Sequence, residues 1–296
     1  MSTCTARTLT ALSADAPLLD ALGGEALSGR ALSGRALSGE VHSVFERVVN
    51  LVTPDGWLIT LAARTMDDAP NTVRVDEASW TEVRAGELFT AADGRLEIAG
   101  LTVDLRHANR WQPQLPPLVA GSCEPAVVTI DEVLGAVGVA GGMVAVGATA
   151  FEREQARLLQ AHSAGLVAAL RLGDAAAVAV HVRGLVGLGP GLTPSGDDFL
   201  TGLLLSAASV RRLLAPAVAA QVHRTTAVSA VTLTEAARGR VRQSLVDLLR
   251  AVANGNQPDV RTAARRVLVI GRTSGTDILS GVRAGLHLEL LLRGSA

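Results

Sequence analysis

Hydroxyl, carboxyl and glycine residues of the kind that bind or transform a small ligand are concentrated in two stretches of this chain. Residues 184–205 read GLVGLGPGLTPSGDDFLTGLLL, and residues 271–285 read GRTSGTDILSGVRAG. With Ser195 set over Ser274, an offset of 79, both copies read Ser-Gly-x-Asp-x-Leu, then Thr or Ser, then Gly and an aliphatic residue. A serine followed three positions on by an acid and then by apolar residues has the form of a capping box. Ser195 or Ser274 would cap, and Asp198 or Asp277 would stand at the third helical position. A helix start leaves backbone N–H groups unpaired and carries partial positive charge, so it favours an anion. In the first copy Gly187, Gly189 and Gly191, with Pro190 and Pro194, let the backbone approach a ligand while stiffening the turn. Two such starts facing one another would make an anion cradle of Gly189, Gly191, Gly196 and Gly275, rimmed by the hydroxyls of Thr193, Ser195, Thr273 and Ser274.

A structural reading stands beside this one. Serine caps are common, an acid in the first turn complements the helix dipole, and Gly202 and Gly281 suit close helix packing alone. The adjacent pair Asp197 and Asp198 exceeds what a cap requires. Carboxylates and hydroxyls suit Mg²⁺, so Asp197, Asp198 and Asp277 are the candidate ligands if a divalent cation binds; no other cofactor is expected. A further polar run carries Thr225, Thr226, Ser229, Thr232 and Thr234, of which Thr225, Ser229 and Thr232 share one helical face. These hydroxyls either line the ligand site, Thr225 and Ser229 above all, or bond back to their own helix.

Composition removes several chemistries. All 27 basic residues are arginines, so there is no Schiff-base lysine and no P-loop ending in Gly-Lys-Ser or Gly-Lys-Thr. Phosphate or carboxylate recognition must rest on arginine forks and backbone amides. A formal net charge of −1 gives no global basic field, which argues against nucleic acid and anionic membranes as partners. Cys4 and Cys123 form no C-x-x-C pair, and His162, His181, His223 and His287 show no metal-ligand spacing, so no zinc is placed here. His42 and His107 have no spaced partner. No G-x-G-x-x-G follows a strand, and no G-x-S-x-G elbow occurs. Without a signal sequence or a long apolar window, a cytoplasmic protein is expected.

At 296 residues, 48% of them hydrophobic, the chain has room for two cores. Residues 1–40 include a tandem repeat, Ala-Leu-Ser-Gly-Arg at Ala26 and Ala31 and Ala-Leu-Ser-Gly-Glu at Ala36, whose period of five matches neither helix nor strand; it reads as a flexible linker. Residues 41–120 read as short strands at 44–52, 57–62, 72–75, 87–90, 95–98 and 101–105, with Asp93-Gly94 as a hairpin turn. Trp57, Trp80 and Trp111 are packing residues of this domain. Residues 121–150 give no readable period. Residues 151–296 read as helices at 152–172, 175–186, 196–214, 217–237, 241–253, 259–270 and 275–292. The expected fold is α+β: a small antiparallel β-barrel or sandwich, then an all-helical bundle carrying both repeats.

The string GLGPGLTPSGDDFLTG, with the later TSGTDILSG, resembles the signature of the family that includes the AllH-type subunit of oxamate carbamoyltransferase. The segments VHSVFERVVNLV, RHANRWQP and TTAVSAVTLTEAARG extend the resemblance over roughly 41–292. It implies a β-domain before a helical domain, and membership in a multi-subunit enzyme of purine catabolism. That enzyme moves a carbamoyl group between carbamoyl phosphate and a small acid such as oxamate, so other transferase subunits, or self-association, are expected. In that setting Arg272 adds a charged fork where the resemblance leads one to expect histidine. Thr193, Ser195 and Ser274 orient the anion, and Asp198 and Asp277 are caps or cation ligands. Arg272, Asp198 and Asp277 are thus the candidate catalytic residues. A non-catalytic anion-binding subunit and a stand-alone metal-dependent hydrolase or phosphotransferase remain the alternatives.

Overall fold

The computed structural model describes residues 7–22, 37–76, 79–98, 100–144, 149–205 and 208–293. The chain divides into two compact units, Met1–Pro113 and Gln114–Ala296.

In the first unit the alternation of apolar and polar residues builds strands with one buried face. They are β1 (Arg7–Asp15), then, after helix α1 (Ala16–Leu22), β2 (Leu37–Val44), β3 (Val48–Val52), β4 (Leu58–Ala63) and β5 (Thr72–Val75). There follow β6 (Leu88–Ala92), β7 (Arg95–Ile98), β8 (Leu101–Asp104) and β9 (Asn109–Trp111). Their order is β5-β4-β3-β2-β6-β7-β8-β1, and β1 also bonds β5, which closes eight strands into a barrel; β9 extends it alongside β1. Asp93 and Gly94, both at positive φ, make the tight turn between β6 and β7, and the buried pairs Phe89–Ile98 and Ala91–Leu96 follow from that register.

Two expectations change. The barrel is mixed, since β1 runs parallel to β8 and β9, and β4 runs parallel to β5. Parallel neighbours need a crossover connection, which local turn signals do not reveal. The first forty residues are also not all linker. In β1 the residues Leu9, Ala11 and Ser13 alternate inward, a period of two that supplies the closing strand. The first two copies of the five-residue repeat lie outside the described residues, but the third enters β2. There a Cβ on Gly39 would stand 2.1 Å from the Val52 carbonyl oxygen, so the strand pair requires a glycine.

The second unit is helical. Helix α2 (Ala120–Val137) occupies most of the stretch that had no readable period. It turns Cys123, Ala126, Val127, Ile130 and Val133 inward at helical spacing. Then come α3 (Ala150–Leu172), α4 (Ala175–Leu185), α5 (Ser195–Leu203), α6 (Ala208–Ala219), α7 (Ala227–Ala237), α8 (Gln243–Asn254), α9 (Gln257–Leu268) and α10 (Ser274–Arg293). The single helices expected at 196–214 and 217–237 are instead α5, α6 and α7, with a 3-10 turn at Val222–Arg224. Pro216 lies inside α6. The stop at Gly255 and the start at Pro258 stand where the sequence places them. Among the described residues no helix is long and apolar enough to cross a membrane.

Candidate functional site

Helices α5 and α10 run parallel, with their starts at the same end. A Cβ on Gly202 would lie 2.0 Å from the Ile278 carbonyl oxygen, and one on Gly281 would lie 2.0 Å from that of Phe199. These are equivalent positions of the two repeats, so the copies meet around a local pseudo-two-fold axis. The helices before them follow the same relation. A Cβ on Gly196 would meet the Leu185 carbonyl oxygen of α4 at 2.1 Å, and one on Gly275 that of Val267 of α9 at 2.2 Å. The glycines are therefore places where one backbone touches another.

This crossing brings each repeat's acid to the other's serine. Asp198 is hydrogen-bonded by the hydroxyls of Ser274 and Thr193, and those two hydroxyls are 3.0 Å apart. Asp277 is hydrogen-bonded by Ser195 and Thr273, and its Oδ1 accepts the Met143 N–H at 2.7 Å. Both acids are buried, and Oδ2 of each has no hydrogen-bond partner among the described residues. Burial, aided by the nearby charges of Asp277 and Asp197 and opposed by the Ser274 and Thr193 bonds, pushes Asp198 up to about 8. Burial pushes Asp277 up to about 6, opposed by the Met143 amide and the two hydroxyls. Gly142 packs directly on this second acid, since a Cβ there would stand 2.4 Å from Asp277 Oδ1 and 2.6 Å from Ser195 Oγ. Neither Gly142 nor Met143 was visible from sequence, because the segment 138–144 joins the site across more than 130 residues and matches no motif.

The capping-box reading of Ser195 is corrected. Pro194 takes the N-cap position of α5 without a side-chain bond, and Ser195 is the first helical residue, its hydroxyl turned to Asp277. A complete capping box does occur, at Thr149 and Glu152 of α3, as the mutual bonds of side chain and backbone require. Several amides of the two helix starts are already bonded to carbonyl oxygens: Gly196 to Leu188, Asp197 and Asp198 to Pro194, Gly275 to Ile270, and Asp277 to Thr273. Hydroxyls line the helix tips. Thr193, Thr273 and Ser274 are half-buried, while Gly191 and Arg272 are exposed.

Asp197 belongs to a different cluster from the acid pair. Its Oδ1 accepts the Gly187 N–H at 2.9 Å, and its Oδ2 accepts the hydroxyls of Thr225 and Ser229, the latter at 2.7 Å. It thus pins the glycine loop to α7. Thr225 and Ser229 serve this carboxylate, and Thr232 and Thr234 bond back to their own helix. Among the described residues no group of three or more metal-ligating side chains forms, so Asp197, Asp198 and Asp277 do not converge as one ligand set. Gly187 and Gly189 approach the protein itself: a Cβ on Gly187 would lie 2.7 Å from the Arg224 carbonyl oxygen, and one on Gly189 2.7 Å from the Ser195 nitrogen. Gly191 faces open space.

These features define an α+β protein in which a mixed eight-stranded barrel precedes a helical unit, and in which two parallel helix starts exchange buried acids for hydroxyls. The chain belongs to the AllH family. Residues 185–286 match the family described as oxamate carbamoyltransferase subunit AllH, which takes in both repeats, and residues 10–110 match the AllH family N-terminal domain, which is the barrel. No solved structure matches the chain.

Proposed function

We propose that this chain is a subunit of an oxamate carbamoyltransferase-type enzyme and that the paired starts of α5 and α10 bind its small carbamoyl-bearing or acidic ligand. The observation that supports this reading is the Thr193–Ser274 hydroxyl pair, half-buried at the helix tips with Asp198 bonded behind it. A carboxyl near 8 is mostly protonated at neutral pH, whereas one near 6 is mostly ionised, so the two acids hold one proton and one charge between them. The pair therefore repels an incoming anion less than two carboxylates would.

Carbamoyl transfer forms a bond from the acceptor nitrogen to the carbamoyl carbon and breaks the carbon–oxygen bond to phosphate, while the nitrogen gives up a proton. Negative charge grows on the carbonyl oxygen between these events. With Asp198 protonated and donating to one hydroxyl of the Thr193–Ser274 pair, the other is free to turn its proton toward such charge. Arg272, exposed beside them, supplies a fork for the phosphate or carboxylate. Asp198 acts through the hydroxyls as a positioning residue, kept protonated by burial and, secondarily, by the charge on Asp277. A subunit of this enzyme works with other subunits, which complete the site and carry carbamoyl phosphate chemistry this chain does not perform alone.

The unpartnered Oδ2 atoms favour a second reading, in which Asp198 and Asp277 would hold Mg²⁺, which would supply Lewis-acid stabilisation of a phosphate or carbonyl oxygen. Assay of the chain with its partner subunits, carbamoyl phosphate and oxamate, with and without Mg²⁺, separates the two. On the first reading Thr193→Val and Ser274→Ala each lower kcat/KM by about tenfold to a hundredfold, in line with loss of one donor to a developing oxyanion, and with little Mg²⁺ dependence. Rates unchanged in both variants would remove the site. Loss of activity only on Mg²⁺ removal, restored by adding it back, would replace the first reading with the second.

A further inference from the structure

The sequence spacing of the histidines gives no metal motif, but the fold brings two of them together. His162 lies on α3 and His181 on α4, and both stand at the head of a His-x-x-Gly run: His162 to Gly165 and His181 to Gly184. Each ring packs on the other helix's glycine. A Cβ on Gly184 would lie 2.4 Å from His162 Cε1, and one on Gly165 would lie 2.2 Å from His181 Cε1. Any side chain at either glycine would evict a ring, so the two helices reserve this space for a pair of imidazoles. The rings stand edge to face at 65°, with centroids 5.6 Å apart, and the two Nδ1 atoms face one another at 3.4 Å.

That separation admits a hydrogen bond in which one Nδ1 donates to the other when no ion is bound. It is the right length for two ligands on one ion. Nitrogens each about 2.05 Å from a tetrahedral zinc, at the tetrahedral angle, stand about 3.35 Å apart. Both His162 and His181 are half-buried.

We infer that His162 and His181 form a two-histidine site for a borderline transition-metal ion such as Zn²⁺, bound through both Nδ1 atoms and bridging α3 to α4. Two protein ligands leave the remaining positions to water or to an added ligand. The ion ties down α4, whose last residue, Leu185, presents the carbonyl against which Gly196 starts α5. The site is separate from the Asp198–Asp277 pair and stands or falls independently of the transferase reading.

The test is Zn²⁺ titrated calorimetrically into the full untagged chain at pH 8, repeated with Co²⁺ to read the coordination geometry from its visible absorption. One ion per chain with a four-coordinate Co²⁺ spectrum is expected. His162→Gln and His181→Gln should each weaken binding at least tenfold, while His42→Ala, in an exposed strand position, leaves it unchanged. Thermal unfolding checks that each variant is folded, and added Zn²⁺ should raise the Tm of the parent but not of the two glutamine variants. Binding that survives the double His162→Gln, His181→Gln variant, or no binding by the folded parent, would overturn the site.

Discussion

Asp198 and Asp277 occupy equivalent positions of the repeat, yet their surroundings separate them, because only Asp277 receives a backbone amide, from Met143. The difference has a consequence for stability. Asp198 holds its proton up to about pH 8 in the folded chain, whereas an unfolded aspartate releases it near about pH 4. Between those values the native state binds more protons than the unfolded one, so its stability falls as pH rises through that window. Asp198→Asn, neutral and similar in shape, is expected to remove this slope, and by pH 9 to recover stability on the order of a few kcal/mol relative to the parent. Urea unfolding of both proteins at pH 5, 7 and 9 measures the difference, and equal slopes would mean that Asp198 is not held protonated by the fold. At this scale the sequence was legible where chemistry and spacing coincide: the repeat pointed to Thr193, Ser195, Asp198, Thr273, Ser274 and Asp277, and these residues do come together. It misled where neighbours in sequence part company. Asp197 and Asp198 are adjacent, but successive helical residues point about 100° apart, and Asp197 turns to the glycine loop and α7 instead.

The elements meet where side chains are absent. At the α5–α10 crossing the atoms that a methyl group would strike are backbone carbonyl oxygens, which cannot swing aside as a flexible side chain can. Gly202→Ala and Gly281→Ala should each cost about 1–3 kcal/mol by forcing the helices apart, despite the higher helix propensity of alanine. The double variant should cost less than the sum, because one widened crossing accommodates both methyls. Denaturant midpoints of the three variants test this, and a stabilised single variant would place the helices farther apart than described here. Packing glycines were readable because Gly202 and Gly281 recur at one position of the repeat. Helix α2 was not, because Pro125 and the surrounding glycines break the local pattern while the buried stripe from Cys123 to Val133 keeps it. The imidazole pair was hidden for a related reason: His162 and His181 are 19 residues apart on two successive helices, a separation with no metal-ligand spacing.

Over the whole molecule, the N-terminal family match, 10–110, lies within the first compact unit, Met1–Pro113, and the second, 185–286, lies within the helical unit. Each unit has a hydrophobic core of its own. One is built from strand residues such as Leu9, Leu51, Ile59, Leu61, Phe89 and Leu96, and the other from helical residues running from Cys123 to Leu288. The change from a period of two to a period of 3.6 separated strands from helices in the sequence but started the helices at 151, whereas α2 begins at Ala120; the closing strand β1 was missed because it lies apart from the other strands and beside a low-complexity repeat. A core drawn wholly from residues 114–296 contains the apolar contacts a domain needs to fold by itself. The fragment 114–296 is therefore expected to show a helical circular dichroism spectrum and one cooperative unfolding transition. It should also keep the pH-dependent stability of the parent, since Asp198, Asp277 and every group bonded to them lie within it. A fragment without cooperative unfolding would show that the helical core depends on the barrel, and the acid pair would then have to be studied only in the full chain.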